Sequence, residues 1–410
     1  MKFKNFTEDD IQRAAKEYGT PLYLYDLDSV KENIAKLRSA VADFKLRYAV
    51  KTNPNPYLLR WMKDHVESLD VSSSGEIAYA VENEWAGDAL EFTGPAKTRK
   101  DFEIALDNKV KSIVVEDLTE IELLNNIAQE RGELARILIR IAPNAAEKNF
   151  GIRLAGRPTQ FGIDEDRLED VLNEIRPMSF VSLEGFHIYS GSQCLDDEAL
   201  AEHFMNMWLL FKRAIEWWGQ PINELVFGAG MGIPYHDGDS ELLLDKLPEV
   251  INTIREEMKR IIPEVECYIE VGRFLVGTAG LFVTEVVRVK ESHGSKIALC
   301  DGGMNNNLGA CGHMGGISHR HYSMASIPAR SDEVEQYKIV GPLCTAIDTL
   351  AHRINLPELK EGDLIAVGCS GSYGPTASPL LFISHELPAE VAFHSQSEDK
   401  NFADFSWIKL

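Results

Sequence analysis

The 410-residue sequence lacks several features that mark particular classes of protein. It contains no run of 18 apolar residues, so we expect no membrane-spanning helix. Its six cysteines form no CxxC pair, which is typical of a protein kept in a reducing compartment. The first residues, MKFKNFTEDDIQRAAKEYG, are polar and unlike a signal peptide. The predicted location is therefore cytoplasmic.

Basic residues are also scarce. The chain has 42 Lys and Arg against 64 Asp and Glu, a formal net charge of -22. Such a charge argues against a nucleic-acid partner and against docking on an anionic membrane, because both need basic patches. It is compatible with a cationic substrate, although a solubilising acidic surface is the commoner explanation.

The order of apolar segments predicts the fold class. Strand-like and helix-like segments alternate between residues 25 and 280 and form about eight strand–helix units, which indicates an α/β fold with a (β/α)8 TIM barrel. The predicted barrel strands are 47–50, 68–71, 90–93, 112–115, 137–141, 183–188, 224–227 and 266–270. Beyond residue 280 apolar residues alternate at period two, which predicts a C-terminal, mostly antiparallel β domain. We assign 25–280 to the barrel, and 1–24 with 281–410 to the β domain.

Polar side chains and glycines collect where the predicted barrel strands end, and barrel enzymes place their active sites at the C-terminal ends of strands. They are Lys51, Asp70, His187, Ser190, the loop 228–232, and Glu270 to Arg273. Each feature alone has an ordinary explanation, such as a solvated lysine, a core histidine, a tight turn or a plain ion pair. Together they supply the amine, phosphate loop and carboxylate that pyridoxal phosphate needs.

Several motifs carry a resemblance to a known family. The segments are YAVKTNPN (48–55), LDVSSSGE (69–76), EGFHIYSGSQ (184–193), FGAGMGIP (227–234), EVGRFLVG (270–277), CDGGMNNN (300–307), GPLCTAID (341–348) and GSYGPTASP (371–379). In these segments the chain resembles the alanine racemase-like (fold type III) pyridoxal-phosphate enzymes, in the decarboxylase branch with ornithine and diaminopimelate decarboxylases. The resemblance implies a lyase that releases carbon dioxide from an amino acid.

The resemblance also implies roles for individual residues. Lys51 matches the Schiff-base lysine, Glu270 the carboxylate at the pyridine nitrogen, and His187 the imidazole that stacks on the pyridine ring. Cys344 matches a cysteine that the second subunit of a homodimer contributes as a proton donor, and Asp348 is a candidate contact for a substrate ammonium group. The remaining cofactor-binding matches are Asp70, Glu76, Ser190, Gly228, Gly230, Gly232, Gly272, Arg273 and Tyr373, of which Tyr373 also faces the substrate.

Two positions depart from the best-known branches. Thr345 follows Cys344, where ornithine decarboxylases carry Asp and diaminopimelate decarboxylases carry Glu, and Gly309 stands where the latter place an arginine. The chain is more similar to the branch with the butirosin-type carrier-linked glutamyl decarboxylase and exosortase-associated decarboxylases, a likeness that GRPTQFGID (156–164) strengthens. We therefore expect a substrate tethered to a carrier protein or peptide, and not free ornithine or diaminopimelate.

Three alternatives stay open. The chain could decarboxylate a free amino acid after all, act as a racemase, or be a non-catalytic regulatory paralogue. Glu270 and Cys344 oppose the racemase, because racemases of this fold place an arginine at the pyridine nitrogen. Separately, Cys311, His313, His319 and His321 lie within eleven residues, but their spacing fits no standard zinc site, so we expect no metal.

Overall fold

The computed structural model describes residues 3–145, 149–312, 320–330, 333–397 and 400–408. Within these residues the helices are α1 (Glu8–Tyr18), α2 (Leu27–Val41), α3 (Pro56–Met62), α4 (Ser74–Glu82), α5 (Arg99–Asp107), α6 (Leu118–Arg131), α7 (Leu168–Ile175), α8 (Asp197–Trp218), α9 (Leu247–Ile261) and α10 (Arg273–Val276). No helix in these ranges is both long enough and apolar enough to cross a membrane.

The strands fall into a parallel and a mainly antiparallel group. In chain order they are β1 (Leu22–Asp26), β2 (Lys45–Ala49), β3 (Ser68–Val71), β4 (Leu90–Phe92), β5 (Ser112–Val115), β6 (Ala135–Ala142), β7 (Phe150–Arg153), β8 (Ile163–Asp164), β9 (Val181–Ile188), β10 (Gly191–Cys194), β11 (Glu224–Gly228), β12 (Glu266–Val271), β13 (Gly280–Ser292), β14 (Ser295–Cys300), β15 (Met324–Ile327), β16 (Val334–Val340), β17 (Thr349–Pro357), β18 (Leu364–Val367), β19 (Ala389–Phe393) and β20 (Ala403–Asp404).

The parallel strands close into a barrel. Strands β2, β3, β4, β5, β6, β9, β11 and β12 follow one another around the sheet, and β12 returns to pair with β2. Polar caps start several of the helices between them: Ser73 accepts a hydrogen bond from the N–H of Glu76 at α4, and Asp117 accepts one from Glu120 at α6. Because every strand runs the same way, their C-terminal ends lie at one rim of the barrel. The predicted barrel is confirmed.

Nine of the other strands build the predicted β domain. Its sheet runs β17-β16-β14-β13-β1-β19-β20, with β18 on β13 and β15 on β18, and only the β1–β19 and β14–β16 pairs are parallel. Leucines and valines of β1, β13 and β19 pack with Ile11 and Ala14 of α1 in its core. The fold class, a barrel with a mostly antiparallel sheet, is therefore confirmed.

The chain divides into two compact units. One comprises residues 1–33, 233–240 and 273–410, and the other comprises 34–232 and 241–272. Several elements were not anticipated from the sequence, among them α7, the two-stranded sheet of β7 and β10, and strands β15 and β17. Helix α7 has no side-chain cap at its start, although its buried residues Leu168, Val171, Leu172 and Ile175 follow the helical i, i+3, i+4, i+7 spacing that could have predicted it. Strand β7 has only four residues and contains a glycine, so it carries a weak local signal.

Candidate active site

Lys51 lies in a short turn between a barrel strand and a helix. Strand β2 ends at Ala49, Lys51 sits in the 3-10 turn Val50–Thr52, and α3 starts at Pro56 after the cap Asn55. The hydroxyl of Tyr48 donates to the carbonyl of Asn53 at 2.9 Å and holds the turn against its own strand. The turn thereby presents Lys51 at the C-terminal rim of the barrel, and 39 % of its side chain is exposed.

Two buried carboxylates flank the Lys51 ammonium. Its Nζ lies 2.8 Å from Oδ2 of Asp70 in β3 and 3.5 Å from Oε1 of Glu270 in β12. The second oxygen of Asp70 accepts a hydrogen bond from the Thr93 hydroxyl at 2.5 Å. The structure thus brings together three of the residues that the sequence singled out.

The two carboxylates differ in their affinity for a proton. Burial and the nearby charge of Glu270 raise the pKa of Asp70, and Lys51 and Thr93 only partly oppose this rise. Burial alone would also raise the pKa of Glu270, but the positive charge of Lys51 and the hydrogen bond from His187 lower it below its ordinary value. Of the two carboxylates that flank Lys51, Asp70 therefore binds a proton more readily than Glu270.

Glu76 adds a third carboxyl group to this region. It lies in the first turn of α4, where its Oε2 accepts a hydrogen bond from the N–H of Ser72 at 2.7 Å. Burial raises the pKa of Glu76 to about 7, the charge of Asp70 adds to the rise, and Ser72 and Lys51 oppose it. Glu76 therefore changes its charge near neutral pH.

His187 is the fourth member of the cluster. It is the next-to-last residue of β9 and is buried, with Nε2 at 2.6 Å from Oε2 of Glu270. Since an ionised carboxylate only accepts, Nε2 carries the hydrogen in this contact. The other ring nitrogen, Nδ1, is buried and makes no hydrogen bond within the described part of the chain.

The glycine loop after β11 packs closely on its neighbours. Gly230 has a φ of +62°, and a Cβ there would lie 2.6 Å from the carbonyl oxygen of Gly191 and 2.6 Å from the Phe150 ring. A Cβ at Gly228 would contact the backbone of Ile188, and one at Gly232 would contact the backbone of Cys194. Ala229, between Gly228 and Gly230, does not have a positive φ and therefore fits the loop without strain.

Several polar groups in this region are suited to an anion. The hydroxyl of Ser190 is buried and has no hydrogen-bond partner among the described residues. The N–H of Ala229 donates to the carbonyl of Glu270, and that of Gly232 donates to Cys194, whereas the N–H groups of Gly230 and Met231 donate to no described residue. Backbone N–H groups in a tight loop are a common phosphate site.

One group of metal-capable side chains overlaps this site. Single ligand atoms of Glu91, His187 and Glu270 all lie within 4.8 Å of one another, the one such group among the described residues. Glu91 forms an ion pair with Arg47, and Glu270 with Lys51. Protein cations therefore already balance these carboxylates.

Arg273 and Tyr373 are neighbours in the unit that holds the β sheet. The Arg273 guanidinium lies 4.7 Å from the centre of the Tyr373 ring and 5.4 Å from that of Tyr235, whose hydroxyl it also contacts. The Tyr235 hydroxyl in turn lies 3.2 Å from the hydroxyl of Ser372. Tyr373 has a φ of 53°, an unusual value for a tyrosine that fixes the direction of its side chain.

Cys344 is exposed on the loop between β16 and β17. The buried carboxylate of Asp348 anchors this loop. Its Oδ1 accepts a hydrogen bond from the N–H of Met304 at 2.7 Å, and its Oδ2 accepts one from the N–H of Leu343 at 2.8 Å. Both of its oxygens are therefore engaged by backbone groups. This arrangement accounts for a buried carboxylate here without a substrate, and the predicted ammonium contact stays a prediction.

Of the four residues in the Cys/His cluster, the structure describes Cys311 and His321. His313 and His319 lie outside the described residues, while Cys311 is buried. The carbonyl of His321 accepts a hydrogen bond from Nδ1 of His236 at 2.9 Å. The described half of the cluster thus has ordinary packing contacts.

Three site neighbours were not anticipated from the sequence. Thr93 holds Asp70, Arg140 pairs with Glu116 at 3.2 Å, and Tyr235 contacts Arg273. Thr93 directly follows β4 and Arg140 lies near the end of β6, so the strand-end rule that selected the other residues could have found both. Tyr235 comes just after the glycine loop and had no such signal.

Comparisons with known proteins agree on one family. The family described as pyridoxal-dependent decarboxylase, pyridoxal binding domain, matches residues 27–277. An L-glutamyl-[BtrI acyl-carrier protein] decarboxylase of Niallia circulans is 31% identical over 94% of this chain and 92% of its own length. A 2-[(L-alanin-3-ylcarbamoyl)methyl]-2-hydroxybutanedioate decarboxylase of Staphylococcus aureus is 30% identical over 95% of this chain and 98% of its own length.

Solved structures show the same likeness. Diaminopimelate decarboxylase of Helicobacter pylori in complex with L-lysine has a TM-score of 0.84 and 26% identity, with 96% of this chain and 95% of that chain covered. By sequence, the chain is also similar to a diaminopimelate decarboxylase of Bacillus subtilis, which is 31% identical over 88% of this chain and 83% of its own length.

Proposed function

The chain belongs to the family of pyridoxal-dependent decarboxylases, and from this premise we propose that it holds pyridoxal phosphate on Lys51 and decarboxylates an amino acid whose side-chain end is tethered to a larger group. The observation that carries the cofactor assignment is the Lys51 amine at 2.8 Å from Asp70 and 3.5 Å from Glu270. This cluster provides an amine, a proton acceptor for that amine and a second, more acidic carboxylate.

The residues present fit the cofactor. The buried Ser190 hydroxyl and the N–H groups of Gly230 and Met231 are left for a phosphate group. Glu270, whose pKa is lowered, is suited to keep the pyridine nitrogen protonated, and His187 is suited to face the ring. Gly228, Gly232, Gly272, Arg273 and Tyr373 complete the proposed cofactor-binding set.

When bound, pyridoxal phosphate supplies an electron sink for the electron pair left by the departing carbon dioxide. Asp70 accepts the proton of the Lys51 ammonium and frees the amine. The Glu270 carboxylate would stabilise the positive charge of a protonated pyridine nitrogen. Cys344 delivers a proton to the α-carbon after carbon dioxide has left, and we assign it to the partner subunit of a homodimer because it is exposed on a single chain.

The names of two relatives support a tethered substrate. One relative acts on a glutamyl group carried by an acyl-carrier protein, and the other on an amino acid whose side chain is joined through an amide to a 2-hydroxybutanedioate group. In both, the distal end of the amino acid carries no free amine. Thr345 beside Cys344 is likewise uncharged, and Asp348 is engaged by the backbone. A free distal charge therefore has no partner at these two positions.

The cofactor assignment is tested on purified protein incubated with pyridoxal phosphate. The native protein and a Lys63→Ala control are expected to gain an absorbance band that borohydride fixes to the chain, and Lys51→Ala is expected to lose it. Lys63 is a suitable control because it is an exposed lysine paired only with Glu84 at 3.2 Å. Full labelling of Lys51→Ala would contradict the assignment.

The substrate is tested by carbon dioxide release, with the product identified by mass. Glutamyl thioesters of pantetheine and of a carrier protein are compared with free glutamate, ornithine and diaminopimelate. We expect release from a tethered substrate alone. Rapid turnover of free diaminopimelate would overturn the tethered substrate while leaving the decarboxylase assignment intact, and loss of optical rotation without carbon dioxide would indicate a racemase.

A further inference from the structure

A buried histidine on a barrel helix contacts the glycine loop, and it takes no part in the chemistry proposed above. His203 lies in α8 and is 0% exposed. Its Nε2 is 3.1 Å from the carbonyl oxygen of Gly228, the last residue of β11. Because a carbonyl oxygen only accepts, Nε2 carries the hydrogen and donates it to Gly228. The helix is therefore hydrogen-bonded to the backbone at the point where the loop begins.

This hydrogen bond holds one edge of a peptide group whose other edge is held as well. The carbonyl of Gly228 accepts from His203, and the N–H of Ala229, in the same peptide group, donates to the carbonyl of Glu270 at 3.0 Å. Since a peptide group is planar, hydrogen bonds at both of its edges fix the orientation of the plane. The direction in which the chain enters the loop is thereby set.

The imidazole also supports the loop through an aromatic ring. The ring centres of His203 and Phe150 are 5.0 Å apart and the two planes make an angle of 65°, an edge contact. Phe150 in turn lies against Gly230, where a Cβ would come within 2.6 Å of its ring. His203 therefore contacts the loop directly at Gly228 and through one ring at Gly230.

The groups that follow this peptide plane are backbone N–H donors. Those of Gly230 and Met231 donate to no described residue, whereas the carbonyl of Gly230 accepts from the N–H of Cys194 at 3.0 Å. Backbone N–H groups form an anion site only when they converge on one position. A loop whose first peptide plane could turn would lose that convergence, so its orientation must be fixed in advance.

We propose that His203 is a positioning residue for phosphate binding: it holds the peptide plane at Gly228 and so aims the N–H groups of Gly230 and Met231 at the phosphate. This inference rests on the proposed function, because the phosphate is that of the proposed cofactor. His203 acts through the backbone and does not itself contact the ligand. Its loss should therefore affect ligands that carry a phosphate and spare those that lack one.

The test compares pyridoxal phosphate with pyridoxal, which lacks the phosphate. Both dissociation constants are measured by absorbance on the apoprotein, for the native chain, His203→Phe and His203→Gln. His203→Phe keeps a ring but has no N–H, whereas the amide of His203→Gln still donates. We expect His203→Phe to weaken binding of pyridoxal phosphate about tenfold and of pyridoxal less than about twofold, and His203→Gln to recover most of the loss.

Trp208→Phe is the matched control. Trp208 is also buried in α8, but its Nε1 donates to Glu257 at 2.8 Å and not to the loop. The exchange thus removes one aromatic N–H from the same helix. We expect its thermal stability to fall while both dissociation constants stay within about twofold of the native values.

Equal weakening of both ligands in His203→Phe, or unchanged binding of pyridoxal phosphate, would overturn the proposal, and so would a His203→Gln protein that recovers none of the loss. If His203→Phe does not fold, His203→Met, which also lacks an N–H donor, is judged by the same rule. The proposed function has its own check, because it fails if the native protein does not attach the cofactor to Lys51, whatever the His203 variants do.

Discussion

At the scale of single residues, the site distributes charge unevenly among carboxyl groups that share one lysine. Asp70, Glu76 and Glu270 are all influenced by Lys51, yet the pKa values of Asp70 and Glu76 are raised while that of Glu270 is lowered. Glu270 alone combines the charge of Lys51 with a hydrogen bond from His187. The three carboxyl groups therefore differ in their affinity for a proton although they share one lysine.

Glu76 makes the stability of the protein depend on pH. Its pKa in the folded chain is about 7, against an ordinary value of 4.5. Between these values the Glu76 carboxyl group is ionised in the unfolded chain but keeps its proton in the folded chain. The contribution of Glu76 to the free energy of unfolding therefore falls as pH rises from about 4.5 to about 7 and is then constant. Below pH 4.5 Glu76 is protonated in both states, and its contribution to stability is at its largest.

We therefore expect Glu76→Gln, which stays neutral and keeps an acceptor for the Ser72 N–H, to be more stable than the native protein at pH 8 by about 1–3 kcal/mol. The advantage should disappear near pH 4.5. Denaturant unfolding of both proteins at several pH values measures it. A constant difference across this range would show that the Glu76 carboxyl group does not titrate between the two values.

At the scale of elements, the loop after β11 depends on one glycine more than on its neighbours. Gly230 combines a positive φ with contacts to Gly191 and Phe150 that leave no space for a Cβ. Ala229, the adjacent residue, needs neither the conformation nor the space, which explains why a side chain is tolerated there.

Gly230→Ala is expected to destabilise the protein by about 1–3 kcal/mol and to weaken cofactor binding, because the loop must move away from β10. Ala229→Gly, the matched control, is expected to cost about 1 kcal/mol or less and to leave the cofactor constant nearly unchanged. Thermal unfolding and cofactor titration measure both effects. Identical behaviour of the two variants would contradict a special role for Gly230.

At the scale of the whole molecule, the proposed reaction needs two copies of the chain. Lys51 and Cys344 belong to different compact units, and we assign them to one active site only across a homodimer. Closed two-fold dimers contribute the same surface twice, so each dimer would hold two equivalent sites.

Mixing Lys51→Ala with Cys344→Ala protomers tests this assignment. Each variant alone is expected to be inactive, whereas mixed dimers contain one site with both native residues, so activity should recover to about a quarter of the native value. Carbon dioxide release after subunit exchange measures the recovery, and mass analysis verifies that mixed dimers form. Mixed dimers without activity would show that the two residues do not share a site in this way.

The sequence by itself determined the barrel and the β domain, and it predicted the main site residues. Strand and helix periods are local properties, and strands 68–71 and 112–115 have the predicted bounds. Parallel strands bring their C-terminal ends to one rim, so Lys51, Asp70, His187 and Glu270 could be grouped before any distance was known. The motif order then indicated the family that the comparisons show.

Only the tertiary structure decided which groups contact one another, because those contacts join distant parts of the chain. Lys51 and Glu270 are 219 residues apart, and no local pattern places their side chains 3.5 Å from each other. The same holds for Thr93 against Asp70 and for Arg47 and Glu91 in the barrel interior, where charged residues contradict the apolar pattern of a core. Strand register and burial are properties of the closed sheet. They place the Lys51 amine between two buried carboxylates, which the sequence could not show.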